Sequence, residues 1–200
     1  MLTIDEGKIA VKLAREALTS YVKKHVRIKP EGLPPVFDEK RGVFVTLHRA
    51  GNLRGCIGYP QPFMPLGVAI IDSAISAGTH DPRFSKVGLK ELSEIEIEVT
   101  VLTAPQRYDI ENKRLPEVVE IGRHGLIVTR GIFTGLLLPQ VATEWGFDPI
   151  DFLSETCLKA GLPADSWLDP DTEVRHFEGQ IFSETEPSGE IVERDILECG

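Results

Sequence analysis

One cysteine lies in a short glycine-rich stretch whose residue types could support nucleophilic chemistry. Arg54 stands two residues before Cys56, and Gly55 and Gly58 lie close to it on either side. A nearby guanidinium favours the thiolate, which is the nucleophilic and metal-binding form of cysteine. Glycine has no side chain, so another backbone or a ligand can come close. We therefore expect Cys56 to act as a nucleophile or covalent carrier, with Arg54, Gly55 and Gly58 binding the substrate.

The hairpin around Cys56 decides which face of the sheet carries the thiol. Residues 43–48 predict a strand and residues 49–52 a turn. An even-length turn places Cys56 on the apolar face of that strand, which would raise the thiol pKa above its ordinary value of about 8.5. A three-residue turn instead places Cys56 with Thr46 and His48, which suits a reactive thiol. The sequence leaves both arrangements open, as well as an ordinary role for Cys56 as a small apolar residue.

Two histidines in predicted turns are candidate acids or bases. His80 precedes Asp81, and Arg83 follows two residues later, so an imidazole, a carboxylate and a guanidinium come together. In the functional interpretation His80 moves a proton and Arg83 holds an anionic part of the substrate. In the structural alternative Asp81 caps the turn, Arg83 pairs with it and His80 lies exposed. His124, in a second glycine-bounded turn, is either a catalytic base or a turn histidine bonded to the backbone.

Three further residues complete the candidate set. Gln140 lies where a predicted strand meets a helix, and its amide offers a donor and acceptors for substrate binding. Cys157 falls on the apolar stripe of a predicted helix, which indicates a core residue. Cys199 is the penultimate residue, and we expect it to be an exposed, incidental thiol.

Metal and phosphate motifs are missing from the sequence. The five histidines lack paired spacing, and there is no Cys-x-x-Cys. There is also no phosphate-binding loop and no Gly-x-Ser-x-Gly elbow. The sequence therefore predicts no metal site and leaves any cofactor unknown.

Charge and composition restrict the function classes. The net charge is -9, which argues against a broad nucleic-acid footprint. Three cysteines without regular spacing do not form a secreted disulfide framework. The N-terminus lacks the apolar core of a signal peptide, and no apolar run reaches membrane-spanning length. We expect a cytoplasmic protein that does not enter the membrane.

The hydrophobic pattern predicts an α+β fold with a mixed, largely antiparallel sheet flanked by helices. Helices are predicted over residues 5–24, 66–77 and, as a pair, 139–161. We expect one compact domain over residues 1–183, either undivided or with a second lobe around residues 122–183 and a cleft that holds the site. Residues 184–200 are acidic and polar, which predicts a mobile tail.

Strict alternation of apolar and acidic residues marks the clearest strand, over residues 94–101. Glu94, Glu96 and Glu98 fall on one face of it. We expect this row of carboxylates to be solvated, because no other oxygen ligand for a cation is implied.

Seven segments together resemble the AMMECR domain family, in the same order along nearly the whole chain. They are NLRGCIG (52–58), DPRF (81–84), GRHGL (122–126), LPQVA (138–142), FL (152–153), CLKAGL (157–162) and FEGQIF (177–182). The first segment is specific to this family, whereas each later segment would be weak evidence on its own. The resemblance implies a compact α/β domain without an established reaction. Some relatives are encoded beside a Memo-like protein and a radical-SAM protein, which implies partners in a modification pathway.

Two functions follow as hypotheses. In the first, the protein is an enzyme or a substrate-handling subunit that uses Cys56 with His80 or His124 as base, on a small molecule or a protein. In the second, it is a non-catalytic binding or adaptor module, whose 53–58 segment is structural or recognises an anionic partner. The sequence does not decide between them.

Overall fold

The computed structural model describes residues 1–194. These residues form two compact units: Met1–Leu102 together with Gln180–Arg194, and Thr103–Gly179. The second unit begins about twenty residues earlier than the lobe expected around residues 122–183.

The described residues form four α-helices and nine strands. The helices are α1 (Ile4–Lys24), α2 (Leu66–Thr79), α3 (Pro139–Trp145) and α4 (Pro149–Lys159). The strands are β1 (Val43–Arg49), β2 (Asn52–Tyr59), β3 (Ile95–Leu102), β4 (Gln106–Arg107), β5 (Gly125–Arg130), β6 (Phe133–Leu137), β7 (Glu173–Phe177), β8 (Gly179–Glu184) and β9 (Ile191–Arg194). Short 3-10 helices occupy Pro35–Asp38, Leu89–Ser93, Asn112–Glu117 and Ser166–Leu168.

The first unit is a five-stranded sheet, ordered β2-β1-β3-β8-β9, that packs by one face against α1 and α2. Alternate side chains of the central strands are fully buried on that face: Val43, Val45, Leu47, Ile95, Ile97 and Val99. Because side chains alternate along a strand, the residues between them lie on the opposite face of the sheet. We call this opposite side the outer face.

Helix α1 begins at a capping box and ends in a left-handed residue. The Thr3 side chain accepts the Glu6 N–H, and the Glu6 carboxylate accepts the Thr3 N–H at 2.8 Å. His25 takes φ 55° and stops the helix. On the buried side, the Arg15 guanidinium pairs with the Glu184 carboxylate, which is only 4% exposed. This ion pair attaches α1 to β8.

The second unit is built on the sheet β4-β7-β5-β6 with α3 and α4. Helix α4 begins at Asp148, whose carboxylate accepts the N–H groups of Ile150 and Asp151. Cys157 is fully buried in its core, as the helical stripe predicts, and burial raises the pKa of this thiol to about 11.

The α+β class is confirmed, with two sheets whose described pairings are antiparallel. The predicted last strand, residues 174–182, is two strands: β7 belongs to one sheet and β8 to the other. The expected mobile tail is wrong for its first part, because Glu184 is buried in β8 and Ile191–Arg194 pair with β8 as β9. Cys199 and the rest of that tail lie outside the described residues. Within residues 1–194, no helix combines the length and the apolar character needed to cross a membrane.

Candidate functional site

The β1–β2 hairpin has an even-length turn and one extra residue in β2. Ala50 and Gly51 form the turn with φ 50° and 75°, and Arg49 pairs with Asn52. His48 pairs with Leu53, but the next residue, Leu47, pairs with Gly55. Arg54 therefore has no partner on β1 and is the extra residue of a β-bulge.

The bulge moves Cys56 from the apolar face to the outer face. Without it, an even turn would place Cys56 opposite Val45. The observed partner is Thr46, which lies between Cys56 and Glu98 in the register of three neighbouring strands. The Thr46 hydroxyl donates to the Cys56 sulfur at 3.3 Å. Cys56 is half-buried, and this face gives it polar neighbours.

The surroundings of Cys56 disfavour its thiolate. Burial raises its pKa, and this effect outweighs the hydrogen bond from Thr46 and the positive charge of Arg83, which both lower it. The carboxylates of Glu98 and Asp81 raise it further. The positive charge that lowers the pKa of this thiol is that of Arg83, and not that of Arg54 as the sequence suggested.

Arg54 binds a carboxylate of its own chain. Its Nε lies 2.9 Å from Oε2 of Glu91 and its Nη2 lies 3.3 Å from Oε1, and the side chain is only 11% exposed. The guanidinium also lies over the Phe84 ring, 5.9 Å from its centre. Arg54 thus ties β2 to the 3-10 helix Leu89–Ser93, while its Nη1 is buried and, among the described residues, has no hydrogen-bond partner.

Both glycines near the thiol are packed against the protein itself. A Cβ on Gly55 would lie 2.2 Å from the Ala77 carbonyl oxygen at the end of α2. A Cβ on Gly58 would lie 2.4 Å from Cδ1 of Phe44. The space that we expected for a ligand is filled at both positions, and Gly55 lets α2 approach β2.

Asp81 and Arg83 complete the edge of the sheet at Cys56. The Cys56 N–H donates to Oδ2 of Asp81 at 2.8 Å, and Nη2 of Arg83 donates to the Cys56 carbonyl at 3.4 Å. Arg83 also binds Asp81 through Nε and Nη2, at 3.0 and 2.7 Å. Because β2 is an edge strand, these side chains take the place of a neighbouring strand. The arrangement matches the structural alternative for this turn.

His80 is exposed and keeps one nitrogen available. Its Nδ1 lies 2.7 Å from Oγ1 of Thr79, whose hydroxyl already donates to the Ile75 carbonyl at 2.6 Å. Nδ1 must therefore carry the proton, which leaves the lone pair on Nε2. His80 can still act as a base.

Three residues of the outer face were not identified as site residues from the sequence. The Glu98 side chain is only 14% exposed, and its Oε2 lies 3.9 Å from Nε2 of His48. Burial raises the pKa of Glu98, while His48 and Arg194 lower it. The prediction of a solvated carboxylate is therefore wrong for Glu98. Alternation along β1 and β3 was the signal that could have placed His48 and Glu98 beside Thr46.

Ser183 is the third of these residues. It lies between Phe182 and Glu184, which both face α1, so its own side chain points to the outer face. Within residues 1–194, the Ser183 hydroxyl and Nε2 of His48 are buried without a hydrogen-bond partner. Buried polar atoms without partners are uncommon and often mark functional sites.

His124 belongs to the second unit and is packed among aromatic rings. Its Nδ1 accepts the Glu120 N–H at 3.1 Å and lies 3.0 Å from the Tyr108 hydroxyl. The ring lies 4.6 Å from that of His176. Burial, followed by the charge of His176, lowers the pKa of His124. A neutral ring that accepts at Nδ1 is protonated at Nε2 and has no lone pair left for general-base chemistry.

Gln140 also lies in the second unit, in the first turn of α3. Its Oε1 is buried and, among the described residues, has no hydrogen-bond partner. In the described part of the chain, no group of three histidine, cysteine or acidic side chains is placed to hold a metal ion.

Comparison with known proteins identifies the family. The AMMECR1 family model matches residues 11–182. A protein of Methanococcoides burtonii is 54% identical over 199 residues, which cover 100% of this chain and 99% of that protein. A protein of Methanothermobacter thermautotrophicus is 53% identical, over 92% of this chain and 96% of its own length.

A solved structure shares the fold. The crystal structure of the uncharacterised protein PH0010 from Pyrococcus horikoshii is 47% identical, covers 96% of this chain and 97% of its own, and has a TM-score of 0.86. With a family model that spans most of its length, this chain belongs to the AMMECR1 family.

Proposed function

We propose that the protein handles an electrophilic substrate through Cys56, which forms a transient covalent bond from a resting thiol. The observation that supports this proposal is the row of Cys56, Thr46 and Glu98 on three neighbouring strands. Thr46 is hydrogen-bonded to the sulfur, and Glu98, whose carboxyl group has a raised pKa, is the partner of Thr46 on the strand opposite Cys56. Such a carboxylate is a stronger base than an exposed one, as general-base catalysis requires.

The step is an acyl transfer to sulfur. The sulfur attacks the carbonyl carbon of the substrate. In this step the Thr46 hydroxyl turns from its resting contact, in which it donates to the sulfur, accepts the thiol proton and passes its own proton to the Glu98 carboxylate on the neighbouring strand. The bond between that carbon and the leaving group then breaks, and the leaving group takes the proton, so the product is a thioester on Cys56. Asp81 and Arg83 fix the main chain at Cys56, which keeps the sulfur oriented during the attack.

An activated ester tests the proposal without knowledge of the natural substrate. In a Cys199→Ser background, p-nitrophenyl acetate should acetylate Cys56 faster in the folded protein than in the urea-unfolded chain. Thr46→Val and Glu98→Gln should slow acetylation by about 10- to 100-fold. Glu96→Gln, on the same face of β3, is the matched control and should change the rate less than twofold. Peptide mapping locates the acetyl group. Equal rates in the folded and unfolded chains would refute the proposal.

A non-catalytic binding module is the second candidate, and one observation favours it. Arg54 and Arg83 are already paired with carboxylates, and burial raises the pKa of the Cys56 thiol. In that function the 53–58 segment is a structural edge strand. Cys56→Ser separates the two: if the variant keeps every partner interaction, including any with Memo-like or radical-SAM proteins, and all cellular function, the covalent mechanism is excluded.

A further inference from the structure

A cavity of about 270 Å³ lies in the first unit, and none of the residues of the thiol site lines it. One wall is formed by Val68, Ile71 and Asp72 on one face of α2 and by Met64, two residues before the helix. The other wall is the segment 27–30, which follows α1. Both walls come from the same compact unit.

The two walls are held at a fixed separation. At one point the Arg27 guanidinium pairs with the Asp72 carboxylate, which also accepts the Tyr59 hydroxyl. At another, Gly67 lets the segment approach α2, because a Cβ there would lie 3.0 Å from Cβ of Pro30. The cavity is therefore a preformed feature of the fold, which favours binding without a large ordering cost.

The lining is apolar with a positive margin. Most of the lining surface is apolar, and the apolar residues that line it are Ile28, Pro30, Met64, Val68 and Ile71. Val68 is 40% exposed, although ten of the fourteen residues of α2 are buried. The charged lining residues are Arg27, Lys29 and Asp72, so their net charge is +1 in a chain whose net charge is -9. Asp72 is already paired with Arg27 and accepts the Tyr59 hydroxyl, whereas Lys29 has no carboxylate partner within residues 1–194.

We propose that this cavity binds a small carboxylate with an apolar body. The carboxylate would lie against Lys29 and the outer part of Arg27, and the apolar body would cover Met64, Val68 and Ile71. At the packing density of protein interiors, the volume accommodates roughly ten non-hydrogen atoms. That is the size of a medium-chain fatty acid or a bicyclic aromatic acid. This inference does not depend on the chemistry of Cys56.

Three probes of equal length and different charge test the proposal. Octanoate, 1-octanol and octylamine are titrated into the full-length protein while the methyl signals of Met64, Val68 and Ile71 are followed by NMR. We expect saturable shifts with octanoate and weaker binding of octanol. Octylamine should give no saturable shift up to about 10 mM, a concentration at which weakly bound small ligands are detected. Absence of saturation with octanoate, or equal binding of octylamine, would overturn the proposal.

Two variants relate the binding to named residues. Lys29→Gln should weaken octanoate binding about threefold and leave octanol binding unchanged, since an exposed charge contributes modestly. Lys12→Gln, an exposed lysine of α1 outside the lining, is the matched control and should change neither. Val68→Glu places a carboxylate at the exposed edge of the cavity and should abolish octanoate binding, with the far-UV circular dichroism of the fold retained. Unchanged octanoate affinity in Lys29→Gln and Val68→Glu would refute the assignment.

Discussion

Asp81→Ala is the substitution that most directly tests how the edge strand at Cys56 is held. The Asp81 side chain is only 2% exposed and accepts hydrogen bonds from the Cys56 N–H and from the backbone and guanidinium of Arg83. A hydrogen bond to a charged group contributes about 1.5–3 kcal/mol, and water can replace part of this at a sheet edge. We therefore expect Asp81→Ala to lower the free energy of unfolding by about 2–4 kcal/mol.

Asp81→Asn separates the contribution of the negative charge from that of the hydrogen bond to the Cys56 N–H. Its amide oxygen can still accept the Cys56 N–H, but the charge that holds Arg83 is lost, so the cost should be about 1–2 kcal/mol. Asp38→Ala, at an exposed site of the same unit, should cost less than about 0.5 kcal/mol. Urea unfolding followed by far-UV circular dichroism measures all three. Amide hydrogen exchange should also become faster at Cys56 in Asp81→Ala.

The pH dependence follows from the direction of the pKa shift. Hydrogen bonds from Arg83 hold the pKa of Asp81 well below its ordinary value in the folded protein. Since the unfolded chain binds the proton more readily, the stabilisation by the carboxylate is complete above the unfolded pKa of about 3.9 and is lost as the pH falls further. The difference between wild type and Asp81→Asn should thus be constant from pH 8 to about 5 and shrink below about 4. An Asp81→Ala variant as stable as wild type, with unchanged exchange at Cys56, would refute this account of the edge.

Two further predictions concern packing and acid stability. Gly55→Ala should lower the free energy of unfolding in urea by about 2–3 kcal/mol, because its Cβ would collide with the Ala77 carbonyl. The control Gly88→Ala should be nearly neutral, since a Cβ there would lie 3.6 Å from the nearest atom, Oε1 of Glu91. Equal stabilities of the two variants would contradict the close packing at Gly55. Burial lowers the pKa of His124, so the folded second unit should lose stability as the pH falls below about 6.5, the unfolded value. His124→Asn, whose amide oxygen can replace Nδ1, should reduce that loss in tryptophan-monitored unfolding, and an unchanged pH profile would count against it.

Local sequence signals predicted the elements that depend on neighbouring residues. The capping box of Thr3 and Glu6 set the start of α1, and alternation set β3. The burial of Cys157 followed from its place on a helical stripe. Each of these predictions depends only on residues within one or two helical turns or a few positions along a strand.

The features that define the candidate site depend on contacts between distant residues. No residue type marks Arg54 as a bulge, because the bulge results from fitting β2 to β1 while Gly55 meets α2. Glu98 was expected in water because its own strand gives no information about what covers it. Glu184 and β9 were missed for a similar reason, since the partner of Glu184 is Arg15, 169 residues away.

The thiol pKa of Cys56 in wild type and in Glu98→Gln is the most direct test of the proposed site. The rate of iodoacetamide alkylation against pH, measured by mass spectrometry in the Cys199→Ser background, gives both values. The wild-type pKa should lie above the ordinary value of about 8.5, because burial disfavours the thiolate. Glu98→Gln should lower it, because a negative charge beside the sulfur is removed. A wild-type pKa below 8.5, or no change in Glu98→Gln, would contradict the placement of Cys56 beside Glu98 on the outer face.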